Sequence, residues 1–293
     1  MAALLSWKAR WGLVSTLLAV VFVLGQLLAL FIGLKILLPN VWTRQIEAGW
    51  PLILGLFLSI SVSTCFVEWF VHRDILHKVI VSYFRDICRR HERHHGLTLI
   101  NLKRSETAGM AKIVSRYPIV KFEQNESVSF PDYMLVLFFV FYSVPLGLLQ
   151  CLFPSMPFLL AGYTAVACSY GLYEVFHPLE HKSDEWWEAR IKNPIARMLQ
   201  YYLAPIRRFH EYHHLNTNYN MAIVGFFGIP LADMVFGTYK TLAYSLDDGS
   251  LMSFDELRPS QPGRFVKKHD HWAEIRSRRL IAELMESGKI IND

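Results

Sequence analysis

The uncharged stretch Tyr133–Tyr173, YMLVLFFVFYSVPLGLLQCLFPSMPFLLAGYTAVACSYGLY, decides the fold of this chain. It holds 41 residues. One straight helix of that length would reach roughly 60 Å, about twice the hydrocarbon thickness of a bilayer. Pro154-Ser155-Met156-Pro157 offers a break. The run therefore predicts two antiparallel membrane-spanning helices joined by a tight turn, with Pro145 a kink site in the first.

Two further uncharged runs lie upstream, Leu13–Leu34 with 22 residues and Trp50–Val67 with 18. A spanning helix needs about 20. Lys8 and Arg10 give the first run a basic start like that of a signal peptide. The run is too long for such a segment, however, and no small-residue cleavage site follows, so it reads as a retained first span. Four spans put both termini on one side. The segment from His72 to Phe130 holds 11 Lys/Arg, whereas the Pro39–Ala48 loop holds only Arg44. The positive-inside rule then makes the termini and the long loop cytoplasmic. The lack of a C-terminal dilysine or KDEL-type signal favours a bacterial inner membrane over the endoplasmic reticulum.

Composition agrees. The chain of 293 residues is 53% hydrophobic and 14% aromatic, with a mean hydropathy of +0.24. Soluble domains are less apolar, and aromatics suit membrane–water interfaces. The net charge of +5 reports cytoplasmic loops. No basic stripe with interleaved aromatics is present, so nucleic acid is not an expected partner. Cys65, Cys88, Cys151 and Cys168 form no CxxC pair and read as small apolar side chains.

Ten of the 12 histidines fall into four clusters. They are His72 and His77 (HxxxxH); His91, His94 and His95 (HxxHH); His177 and His181 (HxxxH); and His210, His213 and His214 (HxxHH). The charge-derived topology puts all four on the cytoplasmic face. Helical residues three and four apart share a face, so each HxxHH converges, as does HxxxH. His72 and His77 would lie about 140° apart on an α-helix, which suits ligands for two different ions. Each half of the chain supplies five histidines just beyond a span, like one helical hairpin used twice. Neutral imidazole suits iron, zinc, copper or nickel, whereas calcium and magnesium prefer oxygen. Glu68, Glu92, Glu174, Glu180 and Glu211 are candidates to orient the imidazoles, helix-surface charge being the other reading. His269 and His271 stand apart and read as surface residues.

The four boxes, in this order, resemble the fatty acid hydroxylase / sterol desaturase superfamily of integral-membrane enzymes. The resemblance extends through Asn218-Tyr219-Asn220 and Asp233-Met-Val-Phe236-Gly237-Thr238. It covers roughly residues 50–240, the expected catalytic domain. Residues 1–49 are then a first span and loop, and 241–293 a cytosolic tail.

The resemblance implies an all-α fold, a four-span membrane bundle with a cytosolic helical cap holding a dimetal histidine site. It also implies two iron ions (zinc being a possible replacement), O2, a membrane lipid substrate and oxidation of an unactivated C–H bond. The pattern is nearest to the fatty acid 2-hydroxylases. Carried over residue by residue, one ion takes His72, His91, His94, His210 and His213, and the other His77, His95, His177, His181 and His214. With no cytochrome b5-type domain in the chain, the resemblance implies a separate electron donor: a ferredoxin, cytochrome or reductase. Arg89, Arg90, Lys103 and Arg104 could dock an acidic one, or be solvated loop charge. Phe66, Trp69, Phe70, Tyr170, Tyr173 and Phe176 could line the acyl chain's route, or simply pack.

Hydroxylation is the first reading. A lipid or sterol desaturase using the same centre is the second. A non-enzymatic membrane metal-binding protein is a remote third, because transporters place ionisable residues within their spans and here the histidines lie beyond them. The stretch Asp270–Ser287 predicts an amphipathic helix that lies on the membrane surface or covers the catalytic domain.

Overall fold

The computed structural model describes residues 2–121, 124, 128–131, 133–189, 193–258 and 261–287, with side chains from 17 onward except 196. The described chain is mostly helical. It divides into two units, Met1–Thr64 with Phe130–Phe176, and Cys65–Ser129 with His177–Asp293.

The first unit contains α1 (Ala2–Leu37), α2 (Pro39–Glu47), most of α3 (Trp50–Phe70), α5 (Met134–Leu152) and most of α6 (Phe158–Glu180). Three segments are long and apolar enough to cross a membrane: Leu17–Leu37, Trp50–Leu76 and Met134–Leu152. Their outward faces stay apolar, as Leu28 and Val144 show at 60% and 75% exposed. Apolar residues all round a helix suit surroundings of lipid. The expected break falls at 153–157, between α5 and α6.

A polar knot fastens that turn. Gln45 of α2 is buried and donates to Gln150 Oε1 (2.8 Å) and to Met156 O (3.3 Å). Its Oε1 accepts from the amides of Leu159 and Leu160 (both 3.1 Å). The side-chain amide thus uses both its donors and both lone pairs, which is what tolerates its burial. Further along, Gly162 of α6 meets Leu146 of α5 so closely that a Cβ would lie 2.5 Å from Leu146 Cδ2.

The second unit holds a turn of π-helix (Val71–Leu76), α4 (Arg85–Leu97), α7 (Asp184–Glu188), α8 (Pro194–Leu215), α9 (Leu231–Phe236), α10 (Phe254–Leu257) and α11 (Arg264–Glu286). It also holds what the all-α expectation omits, a three-stranded antiparallel sheet of β1 (Ile100–Arg104), β2 (Met110–Ser115) and β3 (Leu251–Ser253). Leu102 faces Ile113, and Ala111 faces Met252. Ile100, Ala111, Ile113 and Met252 enclose a core with Tyr212 of α8. Tyr212 donates to Leu257 O (3.1 Å). One face of α8 is thereby anchored, and its histidine face is fixed.

The start of α8 follows from local chemistry. Asn193 Oδ1 accepts from the Ile195 amide (2.9 Å), and Pro194 occupies the first helical position. A second core gathers Cys65, Trp69, Met221, Ala222, Ala232 and Val266. Phe66 and Phe70 pack beside it, with ring centroids 5.7 and 5.8 Å from Phe236. These aromatics and Trp69 pack together in this core. Tyr170, Tyr173 and Phe176 are buried in the first unit.

Candidate metal centre

All ten clustered histidines belong to the second unit, and their ring nitrogens converge in two groups of five. The first comprises His72, His77, His91, His95 and His213; the second comprises His94, His177, His181, His210 and His214. Within each group the five nitrogens lie within 4.8 Å of one another. All ten side chains are buried except His77 and His95, which are half-buried.

This grouping differs from the division that the resemblance implies. His77 and His95 join the first group, and His94 and His210 join the second. Helix geometry explains most of the difference. In α4, His91 and His95 are one turn apart and share a face, whereas His94 lies about 100° round from its neighbour His95. In α8 the same holds for His210 and His214 against His213. Each HxxHH therefore gives its outer pair to one group and its middle histidine to the other. Each half of the chain builds four-fifths of one group and completes the other's.

His72 and His77 provide the second correction. The sequence predicts different ions for them, on α-helical winding. The turn that carries His72 is π-helical. Its i→i+5 bonding winds the backbone less tightly and brings residues five apart back towards one face. The two rings stack at 5.1 Å with an interplanar angle of 11°.

The Nε2 atoms crowd. His91 Nε2 lies 3.0 Å from that of His72, 3.2 Å from that of His77 and 3.0 Å from that of His95. In the second group, His210 Nε2 lies 2.9 Å from His181 Nε2 and 3.1 Å from His214 Nε2. A neutral imidazole has one N–H, so hydrogen bonding cannot satisfy three such contacts at one atom. A cation at the centre can. Metal–nitrogen bonds of about 2.0–2.1 Å put neighbouring ligand nitrogens roughly 3 Å apart.

Backbone acceptors set the rings. His72 Nδ1 donates to Met221 O (2.6 Å), His213 Nδ1 to Tyr219 O (2.7 Å) and His177 Nδ1 to Val128 O (2.9 Å). Thr98 Oγ1 donates to His94 O (2.7 Å), so it accepts from His214 Nδ1 (3.0 Å). In these four rings the proton sits on Nδ1 and the Nε2 lone pair faces the group, the tautomer a metal requires. Burial and then neighbouring imidazoles hold His91, His94, His181, His210 and His214 well below the usual histidine range. Burial also lowers His213 to about 4. At neutral pH these imidazoles are uncharged and ready to ligate. The residues present therefore fit two ions.

Of the five candidate orienting carboxylates, Glu180 faces an imidazole. It is fully buried, and its Oε2 lies 4.0 Å from His210 Nδ1. Glu68 accepts from the amides of Val224 and Gly225 (2.9 and 2.8 Å). Glu211 pairs with Arg207 (3.4 Å), Glu174 accepts from the Phe130 amide (3.0 Å), and Glu92 lies against the Cys88 thiol.

The two quoted segments after α8 have structural tasks. Asp233 accepts from the amides of Met221 (3.0 Å) and Ala222 (2.8 Å) and from Thr238 Oγ1 (2.6 Å). Thr238 Oγ1 in turn accepts from Trp69 Nε1 (3.0 Å). Gly237 ends α9 with a φ of +70°, a conformation that favours glycine. Sequence reasoning missed the carbonyls of Val128, Tyr219 and Met221, because a backbone acceptor leaves no mark in residue type. It could have found Thr98, which stands one helical turn after His94. His269 also departs from expectation. It is half-buried and donates to Asp74 Oδ2 (2.6 Å), whereas His271 is exposed.

Comparison with protein-family models, with curated proteins and with solved structures finds no match.

Proposed function

We propose that this chain is a membrane-bound, O2-dependent lipid hydroxylase of the fatty acid hydroxylase / sterol desaturase type. The observation that carries the reading is the convergence of ten imidazoles from four boxes into two five-nitrogen groups. Iron is the proposed metal, and zinc, which binds such nitrogens more tightly than ferrous iron, could replace it on isolation. A bound iron pair supplies the activation of O2 and the oxidation of an unactivated C–H bond.

The chain's own part is to hold and to exclude. The carbonyls of Met221, Tyr219 and Val128 fix ring orientation, Glu180 faces His210, and burial keeps bulk water away. Each turnover converts a C–H bond, O2, two electrons and two protons into C–OH and water. The two electrons come from a separate redox protein. Arg89, Arg90 and Arg93 lie on the exposed face of α4, opposite His91 and His94, and suit an acidic partner. We place four spans in the bilayer, α6 being the fourth, with both termini and the histidines on the cytoplasmic side of a bacterial inner membrane. The charge bias of the loops supports this topology.

Mass spectrometry of lipids from cells expressing this chain, against cells expressing His213→Ala, tests the reading. A lipid class gaining one oxygen only with the intact chain is the expected result and identifies the substrate. Loss of two hydrogens instead would make the enzyme a desaturase. No change in the native host, with both proteins expressed in oxygen, would overturn lipid oxidation.

A further inference from the structure

The terminal helix lies outside the region that resembles known enzymes, yet it grips the turn that carries two ligands. Arg73 follows His72 and is 1% exposed. Its Nε donates to Asp270 Oδ1 (2.7 Å) and its Nη2 to Asp270 Oδ2 (2.6 Å), a two-point pairing with α11. Its Nη1 donates to Asn218 O (2.8 Å), and its guanidinium lies 5.0 Å from the Trp69 ring centroid. Lys78, which follows His77, also donates to Asp270 Oδ1 (3.3 Å). His269 donates to Asp74 (2.6 Å), and the Val79 amide donates to Ser277 Oγ (3.2 Å).

Each of these α11 contacts therefore falls on residue 73, 74, 78 or 79. They follow directly on His72 and flank His77 on both sides. The turn is π-helical, a winding rare in proteins and found mostly as single turns at functional sites. Removing the Asp270 carboxylate would leave a buried guanidinium without its counter-charge. The contacts fall within the turn and just after it, on neighbours of the two histidines rather than on the imidazoles themselves.

We infer that α11 is a positioning element for the first nitrogen group, acting through Asp270 and His269 on the turn that bears His72 and His77. The inference rests on the two-ion reading of the histidine groups. Its consequence is selective. The second group takes no ligand from this turn, so loosening α11 weakens one ion and spares the other.

The test is cobalt(II) titration of the purified full chain in detergent, read by visible absorption and by metal analysis. The intact chain is expected to take up two ions. Asp270→Asn is expected to weaken one of the two sites about 10–100-fold, the range for outer partners of ligating histidines, and to leave the other unchanged. In a His181→Ala background, which impairs the second group, the same change should remove the remaining tight site. The swapped pair Arg73→Asp with Asp270→Arg should recover part of the loss. Should Asp270→Asn fail to fold, Ser277→Ala serves, with a loss of a few-fold expected at the same site. Two unchanged affinities in the variant would overturn the inference alone, as would equal weakening of both sites with a lowered unfolding temperature. Failure of the intact chain to take up two ions would overturn the two-ion reading and this inference with it.

Discussion

Met221 is bonded at both ends of its peptide frame: its carbonyl accepts from His72 Nδ1 at 2.6 Å, and its amide donates to Asp233 at 3.0 Å. Asp233 is fully buried and is shared by Met221, Ala222 and Thr238. Asp233→Ala is expected to cost about 1–3 kcal/mol for each buried donor left without an acceptor. It should also loosen His72. Thermal unfolding and metal analysis of the purified variant check this, and a variant as stable and as metal-rich as the parent would refute it.

Paired alanine substitutions test which histidines share an ion. In the observed grouping His91 and His94 serve different groups, whereas His91 and His95 serve the same one. His91→Ala with His94→Ala is expected to lower metal content from two ions to none. His91→Ala with His95→Ala should retain one. The division carried over from the resemblance predicts the reverse, since there His91 and His94 share an ion and His95 serves the other. Metal per chain, measured on equal amounts of folded protein, separates the two.

Acid should destabilise the metal-free protein from about pH 6.5 downward. His91, His94, His95, His181, His210, His213 and His214 are held neutral by burial, with folded values lowered. Between the folded value and the unfolded value near 6.5, the unfolded chain binds more protons, so stability rises with pH and falls on acidification. Each such group contributes about 1.4 kcal/mol per pH unit in that window. For His213 the window closes at about pH 4. Unfolding midpoints between pH 7.5 and 5 should drop steeply, and a flat profile would contradict the buried neutral set.

Gly162 tests the α5–α6 contact independently of any metal. A Cβ there would meet Leu146 Cδ2 at 2.5 Å and Cδ1 at 2.6 Å. Gly162→Val is expected to destabilise by about 1–3 kcal/mol through overpacking. Because the obstructing atoms end a flexible side chain, adding Leu146→Ala should return part of the loss. Unfolding in detergent of both variants provides the measurement.

The sequence made the helices and the ten clustered histidines legible for separate reasons. Uncharged runs of spanning length mark α1, α3 and α5, and the spacings of three and four put His91, His94 and His95 on one side of α4. The sheet was not legible, because β1 and β2 are five and six residues long and lie in a loop whose charges dominate its reading. The sharing of His72 with His77 was not legible either, since spacing converts to angle only once the winding is known. His269 was read as surface because its partner Asp74 lies 195 positions away.

Asn220 stands between the two carbonyls that orient His213 and His72, those of Tyr219 and Met221. It is fully buried with a φ of +58°, a region that asparagine tolerates better than most residues. Its side chain donates to Phe209 O (2.7 Å) and Lys240 O (2.8 Å) and accepts from the Lys240 amide (2.8 Å). Alternate carbonyls in this loop, those of Tyr219 and Met221, are thus aimed by count. Inserting or deleting one residue between Leu215 and Met221 would hand the wrong oxygen to one ring or the other. The loop's length is therefore part of the geometry of the histidine groups, and a variant of altered length is expected to misdirect at least one of these two imidazoles.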